Sequence, residues 1–155
     1  MKRVFILIAG LISLVCLSCC SNSDKQDFYG TYIFEKVSYL SLLSSSTIDY
    51  INERMVGTKY TIEADLFKIE SADNTVEISS PIYMKEEIQN DLSTLYDVHT
   101  LDGNEVEYQY TICNKDGKKA NWRLYVSSDY LWIASYVDNT ANSSEIIMSI
   151  YKLSK

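Results

Sequence analysis

VEYQYTICNKDGKKANWRLYVS, residues 106–127, is the stretch that decides the fold. Val106, Tyr108, Tyr110 and Ile112 alternate with Glu107, Gln109, Thr111 and Cys113, the period of two that belongs to a half-buried strand. Asn114-Lys115-Asp116-Gly117 carries turn chemistry, and Asn121 to Ser127 returns as the partner strand of a hairpin. Downstream, Ser127-Ser128-Asp129 turns again, Tyr130 to Val137 forms another strand, and 138–144 make a longer loop. Glu145 to Leu153 is then the last strand.

Two of these strands carry bulk on both faces. Leu131, Ile133 and Val137 lie opposite Tyr130, Trp132 and Tyr136, and Ile146, Met148 and Ile150 lie opposite Ile147 and Tyr151. A strand with solvent on one side needs only one apolar face, so the second face meets a helix or a partner.

Working toward the N-terminus, Ile88, Leu92, Leu95 and Tyr96 recur at helical spacing, and a short helix is expected over Glu86 to Tyr96. Leu66 to Glu70 and Thr75 to Ser79 read as short strands joined through Ala72-Asp73-Asn74, and Tyr60, Ile62 and Ala64 alternate before them. Ser46 stands as the cap of another short helix with Asp49 three residues on. Ile48, Ile51 and Met55 share its apolar face, and Gly57 ends it in a left-handed turn. Thr31 to Val37, after Gly30, is the first strand. Consecutive hairpins at this spacing, with 13 tyrosines, one proline and five glycines in 155 residues, make the chain all-β, an antiparallel barrel or sandwich of about eight strands with two short helices.

The first residues stand outside that fold. Lys2 and Arg3 precede an uncharged apolar run from Val4 to Leu17, about 14 residues against the ~20 that a membrane-spanning helix needs. This is a signal-peptide pattern, and it is set aside from the fold. Cys16-Leu17-Ser18-Cys19-Cys20 follows, and it resembles the lipobox of bacterial lipoproteins, in which a small residue precedes the cysteine that is lipidated. With Ser18 before it, Cys19 is the expected lipidated residue and Cys20 the alternative. The expected organisation is a signal peptide over 1–18, a lipidated cysteine and flexible tether over 19–28, and one domain over 29–155. The expected address is the cell envelope, lipid-anchored at the outer membrane.

Composition narrows the partners. The chain holds 14 basic and 21 acidic residues; without Lys2 and Arg3 the balance is 12 against 21, a net charge of −9. Such a domain is repelled by nucleic acid and by anionic headgroups. Of four cysteines, only Cys20 and Cys113 remain as thiols, a disulfide between them would staple little, and no metal-type cysteine spacing occurs.

The arrangement resembles the small lipocalin-like lipoproteins of bacteria, calycin-type barrels. Phe28-Tyr29-Gly30-Thr31-Tyr32 stands where those families have a Gly-x-Trp strand, with Tyr32 in place of Trp. Met55 to Ile62, followed by Ile78-Ser79-Ser80-Pro81-Ile82-Tyr83, is similar to a helix, Ile-Gly-Lys strand and Asn-Pro-x-Tyr series, with Ser80 in place of Asn. The closing Ile150-Tyr151-Lys152-Leu153 is similar to the last barrel strand of such proteins. The resemblance implies a lipocalin-like barrel with a ligand-binding or protein-binding habit and no defined ligand.

Candidate chemistry is sparse. Asp97-x-His99-x-x-Asp102 has metal-like spacing, but a stable site needs three or more convergent ligands, and solvated loop residues are the preferred reading. Glu86-Glu87 and Glu105/Glu107 are carboxylate pairs that solvated faces explain, and glycoside chemistry needs such a pair facing each other across a cleft. Asp102-Gly103-Asn104 and Asp116-Gly117 are read as turns rather than calcium loops, and Asn142-Ser143-Ser144 as an incidental acceptor pattern. No cofactor or catalytic constellation is expected. Tyr108, Tyr110, Trp122, Tyr125, Trp132 and Tyr136 fall on three successive strands. They either line a cup for an apolar or sugar-like ligand or fill a small barrel, and filling is preferred. The leading expectation is a non-enzymatic, membrane-anchored lipoprotein holding a small apolar ligand in its barrel; a protein-interaction module with a filled barrel is the alternative.

Overall fold

A computed structural model describes residues 26–88, 97–139 and 144–155. The first elements are β1 (Gly30–Leu40), α1 (Ile48–Arg54), β2 (Lys59–Ile62), β3 (Leu66–Glu70), β4 (Thr75–Ser79) and β5 (Ile82–Glu86). After these come β6 (Thr100–Leu101), β7 (Asn104–Glu105), β8 (Tyr108–Cys113), β9 (Lys119–Val126), β10 (Leu131–Asn139) and β11 (Ser144–Ser154). Nine strands form one antiparallel sheet in the order β4-β3-β2-β1-β11-β10-β9-β8-β5, and β6 and β7 pair separately. Among the described residues no helix is long and apolar enough to cross a membrane.

The all-β expectation holds, but the sheet does not close into a barrel. Its edges, β4 and β5, are joined by Ser80 and Pro81 alone. Laid flat at ~4.8 Å per strand, the two edges would lie about 38 Å apart, whereas three Cα steps reach about 11 Å. The sheet must therefore curl until its edges nearly meet at that corner. They do not zip together there. A two-residue type I′ hairpin needs positive φ at both central residues, and proline is held near −65°. Ser80 takes φ 51°, its N–H donates to the Asp65 carbonyl at 2.8 Å, and β5 leaves to pair with β8.

Bulges sharpen the curl. Opposite β11, the register of β1 slips between Phe34 and Lys36 and again between Val37 and Tyr39. In β11 a slip between Ser135 and Tyr136 of its partner leaves Met148 unpaired. That slip corrects the face assignment read from sequence: Ile147 and Ile150 lie together rather than opposite.

The concave face is filled by Phe28, Tyr32, Phe34, Val37, Tyr60, Ile62, Phe67, Ile69, Tyr110, Ile112, Leu124, Leu131, Ile133 and Leu153. A second core lies on the outer face of β9, β10 and β11, where Tyr125, Trp132, Ala134, Tyr136, Ile147 and Ile150 meet Val98, Leu101 and Val106. The cover demanded by the two-faced strands is thus the β6–β7 hairpin and its flanks. Asp102 (φ 51°) and Gly103 (φ 80°) make its turn, as an Asp-Gly pair favours.

Local differences have identifiable causes. The cap of α1 is Thr47, whose Oγ1 accepts from the Tyr50 N–H at 3.3 Å, one residue beyond Ser46. Ile51 and Met55 pack on the concave core, while Ile48 faces outward. The Asn52 side chain accepts from the Val37 N–H at 2.9 Å, tying α1 to β1 where the bulges disturb its ladder. Gly57 does take a left-handed turn, at φ 77°. Glu86, expected to open a second helix, ends β5, where Thr111 Oγ1 donates to its carboxylate at 2.7 Å. Glu87 and Ile88 after it are not helical, and the rest of that expected helix, 89–96, lies outside the described residues. Val106 precedes β8 rather than belonging to it, and Ala64 falls in the β2–β3 turn.

Candidate functional site

The six aromatic candidates do not share one cup. Tyr110 and Trp122 face the concave core; Tyr125, Trp132 and Tyr136 face the outer core. Tyr108 is exposed at the rim with the Lys85 ammonium 3.4 Å from its ring centre. Strand parity explains the split, because Trp122 and Tyr125 are an odd number of residues apart and point to opposite faces.

On the outer side the aromatics are occupied with one another. The hydroxyls of Tyr125 and Tyr136 are hydrogen-bonded, and the Arg123 guanidinium lies 4.1 Å from the Tyr136 ring centre and pairs with Glu145. Trp132, fully buried, donates its Nε1–H to Asp102 Oδ2 at 2.8 Å. The Ser38 hydroxyl donates to the same oxygen at 2.6 Å, and Lys36 Nζ lies 2.7 Å from Oδ1. Partial burial pushes the Asp102 carboxyl up, but the donors Lys36, Ser38 and Trp132 outweigh it and hold it below its ordinary range. Asp102 thus pins the hairpin tip to β1 and β10. In the sequence it stands as a turn residue; its clamp role depends on partners 64 and 30 positions away.

At the chain-entry end of the concave interior an aromatic cluster stands beside a recess of about 280 Å³ that Phe28, Tyr32, Tyr130, Leu131 and Leu153 help to line. Phe28 packs on Tyr29, Tyr83 and Tyr110, with ring centres 5.2, 5.4 and 4.6 Å away. The Tyr32 hydroxyl donates to the Phe28 carbonyl at 2.8 Å, and the Tyr83 hydroxyl donates to the Glu63 carbonyl at 3.1 Å. At the opposite end a cavity of about 400 Å³ remains between α1, the end of β1, the β3–β4 turn and the inner faces of β10 and β11. Leu40, Ile51, Met55, Met148 and Tyr151 supply its apolar wall, and Ser135 and Ser149, hydroxyls 2.7 Å apart, its polar one. Arg54 stands at the mouth, 3.0 Å from Asp73 and donating to the Tyr50 hydroxyl at 3.2 Å. Around this end, Leu42, Leu43, Ile48, Tyr50 and Val56 are exposed. None of the cavity residues carries a motif; strands distant in sequence bring them together.

The remaining candidates do not converge. Asp97 Oδ1 accepts from the backbone N–H of exposed His99 at 2.9 Å, while Asp102 is turned to its clamp. No group of three His, Cys, Asp or Glu side chains is placed to hold a metal ion among the described residues. Glu86 points to Thr111, Gln109 and Lys119, whereas Glu87, Glu105 and Glu107 are exposed. Partial burial raises the Glu86 carboxyl, and the Thr111 hydrogen bond with the charges of Lys119 and Arg123 brings it below normal. Cys113 is a buried free thiol with Sγ 3.5 Å from Met84 Sδ, and burial pushes its pKa up. Cys16, Cys19, Cys20 and the Asn142-Ser143 pattern lie outside the described residues.

The fold and site define an antiparallel, mostly β protein with a packed concave core and a recess beside α1. No family model, curated protein sequence or solved structure matches the chain.

Proposed function

We propose that the chain is a non-enzymatic, lipid-anchored protein of the cell envelope, attached to the outer membrane through Cys19 (alternatively Cys20), that docks a protein partner with its α1 end. In this reading the fold is a lipocalin-like barrel opened between β4 and β5, 1–18 is the removed signal, and 19–28 is the tether. One observation carries the docking surface. Five large apolar side chains, Leu42, Leu43, Ile48, Tyr50 and Val56, stand exposed within residues 42–56. Solvated apolar side chains gathered in this way mark interaction surfaces.

Orientation supports the assignment. The chain enters β1 at Gly30, and the apolar segment follows its far end at Leu40. Eleven residues at ~3.3 Å each separate those ends by about 35 Å, so Leu42 and Leu43 project away from an N-terminal anchor, while α1 runs back beside β1 until the Thr58 carbonyl accepts from the Phe34 N–H. An excess of acidic residues keeps the rest of the surface off anionic headgroups.

The test is photo-crosslinking in the native cell, with benzoylphenylalanine at Leu42 or Val56 and, as control, at Ser128 in the β9–β10 turn near the chain entry. A protein adduct of one mass from positions 42 and 56, absent at 128 and lost in a Leu43→Asp background, is the expected result. Equal adducts at all three positions, or none at 42 and 56, would refute the surface.

A further inference from the structure

We infer that the cavity beside α1 binds a neutral, hydroxyl-rich ligand the size of one hexopyranose. The inference is separate from the docking surface, of whose five apolar side chains only Tyr50 also lines the recess. Size comes first. The cavity holds about 400 Å³, room for about a dozen waters at ~30 Å³ each, and a hexopyranose has a similar number of non-hydrogen atoms. It also falls in the ~300–1,000 Å³ range of small-molecule sites.

The floor chooses a polar ligand. In the Ser135–Ser149 pair one hydroxyl donates to the other at 2.7 Å, which leaves the acceptor's own proton and further lone pairs for a ligand. Ser149 is itself buried. An apolar occupant would seal those groups from water without replacing their hydrogen bonds, which is costly. A ligand hydroxyl, donor and acceptor at once, completes the pair.

The mouth chooses a neutral one. Arg54 and Asp73 are 3.0 Å apart and cancel each other's charge, so the mouth offers no net charge to draw in an anion or a cation. A neutral molecule disturbs neither side chain. The remaining wall, Tyr151 with Ile51 and Met55, offers a ring and aliphatic surface for the C–H face of a pyranose. A pyranose carries hydroxyls around its edge and axial C–H groups on its faces, which suits a site with both kinds of wall.

The test uses the full chain in a zwitterionic detergent free of sugar headgroups, with the backbone amides of Ser135, Ser149 and Tyr151 followed by NMR. Glucose, galactose and N-acetylglucosamine are the neutral probes; gluconate and glucosamine offer the same skeleton with a negative or a positive charge. At least one neutral sugar is expected to shift these amides saturably at millimolar concentration, with the charged pair at least ten-fold weaker. Ser149→Leu, which fills the floor, is expected to weaken binding at least ten-fold. Should that variant misfold, Ser46→Trp narrows the mouth from a loop outside the sheet and is expected to do the same. Leu42→Asp is expected to leave sugar affinity unchanged while it weakens docking. The proposal is overturned by no shift with any neutral sugar, by equal binding of the charged probes, or by binding that survives both cavity variants.

Discussion

Replacing Asp102 by alanine is expected to loosen the cover of the outer core without unfolding the sheet. The side chain joins three partners: Trp132 at 2.8 Å, Ser38 at 2.6 Å and Lys36 at 2.7 Å. A hydrogen bond to a charged acceptor contributes about 1.5–3 kcal/mol, and the Trp132 and Ser38 bonds are both of that kind. The lysine is nearly half exposed, so its pairing is screened and adds about 0–1 kcal/mol. Water replaces part of what is lost, because the hairpin tip lies at the surface. The expected destabilisation is therefore about 3 kcal/mol, near the lower end of the sum. For a domain of this size that is a fall in Tm of about 10 °C. Asp102→Asn keeps an acceptor for the indole and loses only the charge, so about half the effect is expected. Urea melts give the equilibrium figure, and hydrogen exchange at Leu101 and Val106 shows whether the hairpin opens first. Trp132 emission should shift to the red in the alanine variant before global unfolding. A loss below about 1 kcal/mol, with unchanged exchange at both amides, would refute the clamp.

The same carboxylates set an acid limit. The folded pKa values of Asp102 and Glu86 are lowered, so their stabilising contribution is complete above the ordinary carboxylate value of about 4 and is lost as pH falls through the folded values. Melting temperature followed from pH 7 downward should decline in that acid window, and Asp102→Asn with Glu86→Gln should flatten the decline. An unchanged slope in the double variant counts against both assignments. Thr47→Ala should cost about 1 kcal/mol by removing the α1 cap, and Ser46→Ala less than about 0.5; equal effects in urea melts would move the cap. Cys113, buried with a raised pKa, should resist maleimide in the folded protein and react fully in denaturant, as mass spectrometry would record. Fast labelling under native conditions would contradict its burial.

Most of the strand content was legible because strands obey a local rule. The spans of β3 and β4 were readable to the residue, and β9, β10 and β11 to within one or two, from alternation bounded by turn residues. The two-faced pattern of β10 correctly announced a second covered surface. The candidate site was much less legible. Six aromatics close in sequence divide between two faces because their parity differs, and the cavity is built by Ile51, Asn74, Ser135, Ser149 and others that meet only after folding.

By itself, then, the sequence determined the antiparallel all-β class, the turns at Asn114 to Gly117 and Asp102-Gly103, and which residues share a face within an unbulged stretch of strand, since side-chain direction follows from position in the pleat. Tertiary structure alone decided which surfaces meet. It paired β1 with β11 across the whole chain, set bulges that reverse the parity of Ile147, and left β4 and β5 as separate edges on either side of Pro81. It also laid residues 97–107 over the outer core and locked them with Asp102. Periodicity records that a face must be buried; which segment buries it depends on contacts between residues far apart in the chain, and no local pattern encodes those.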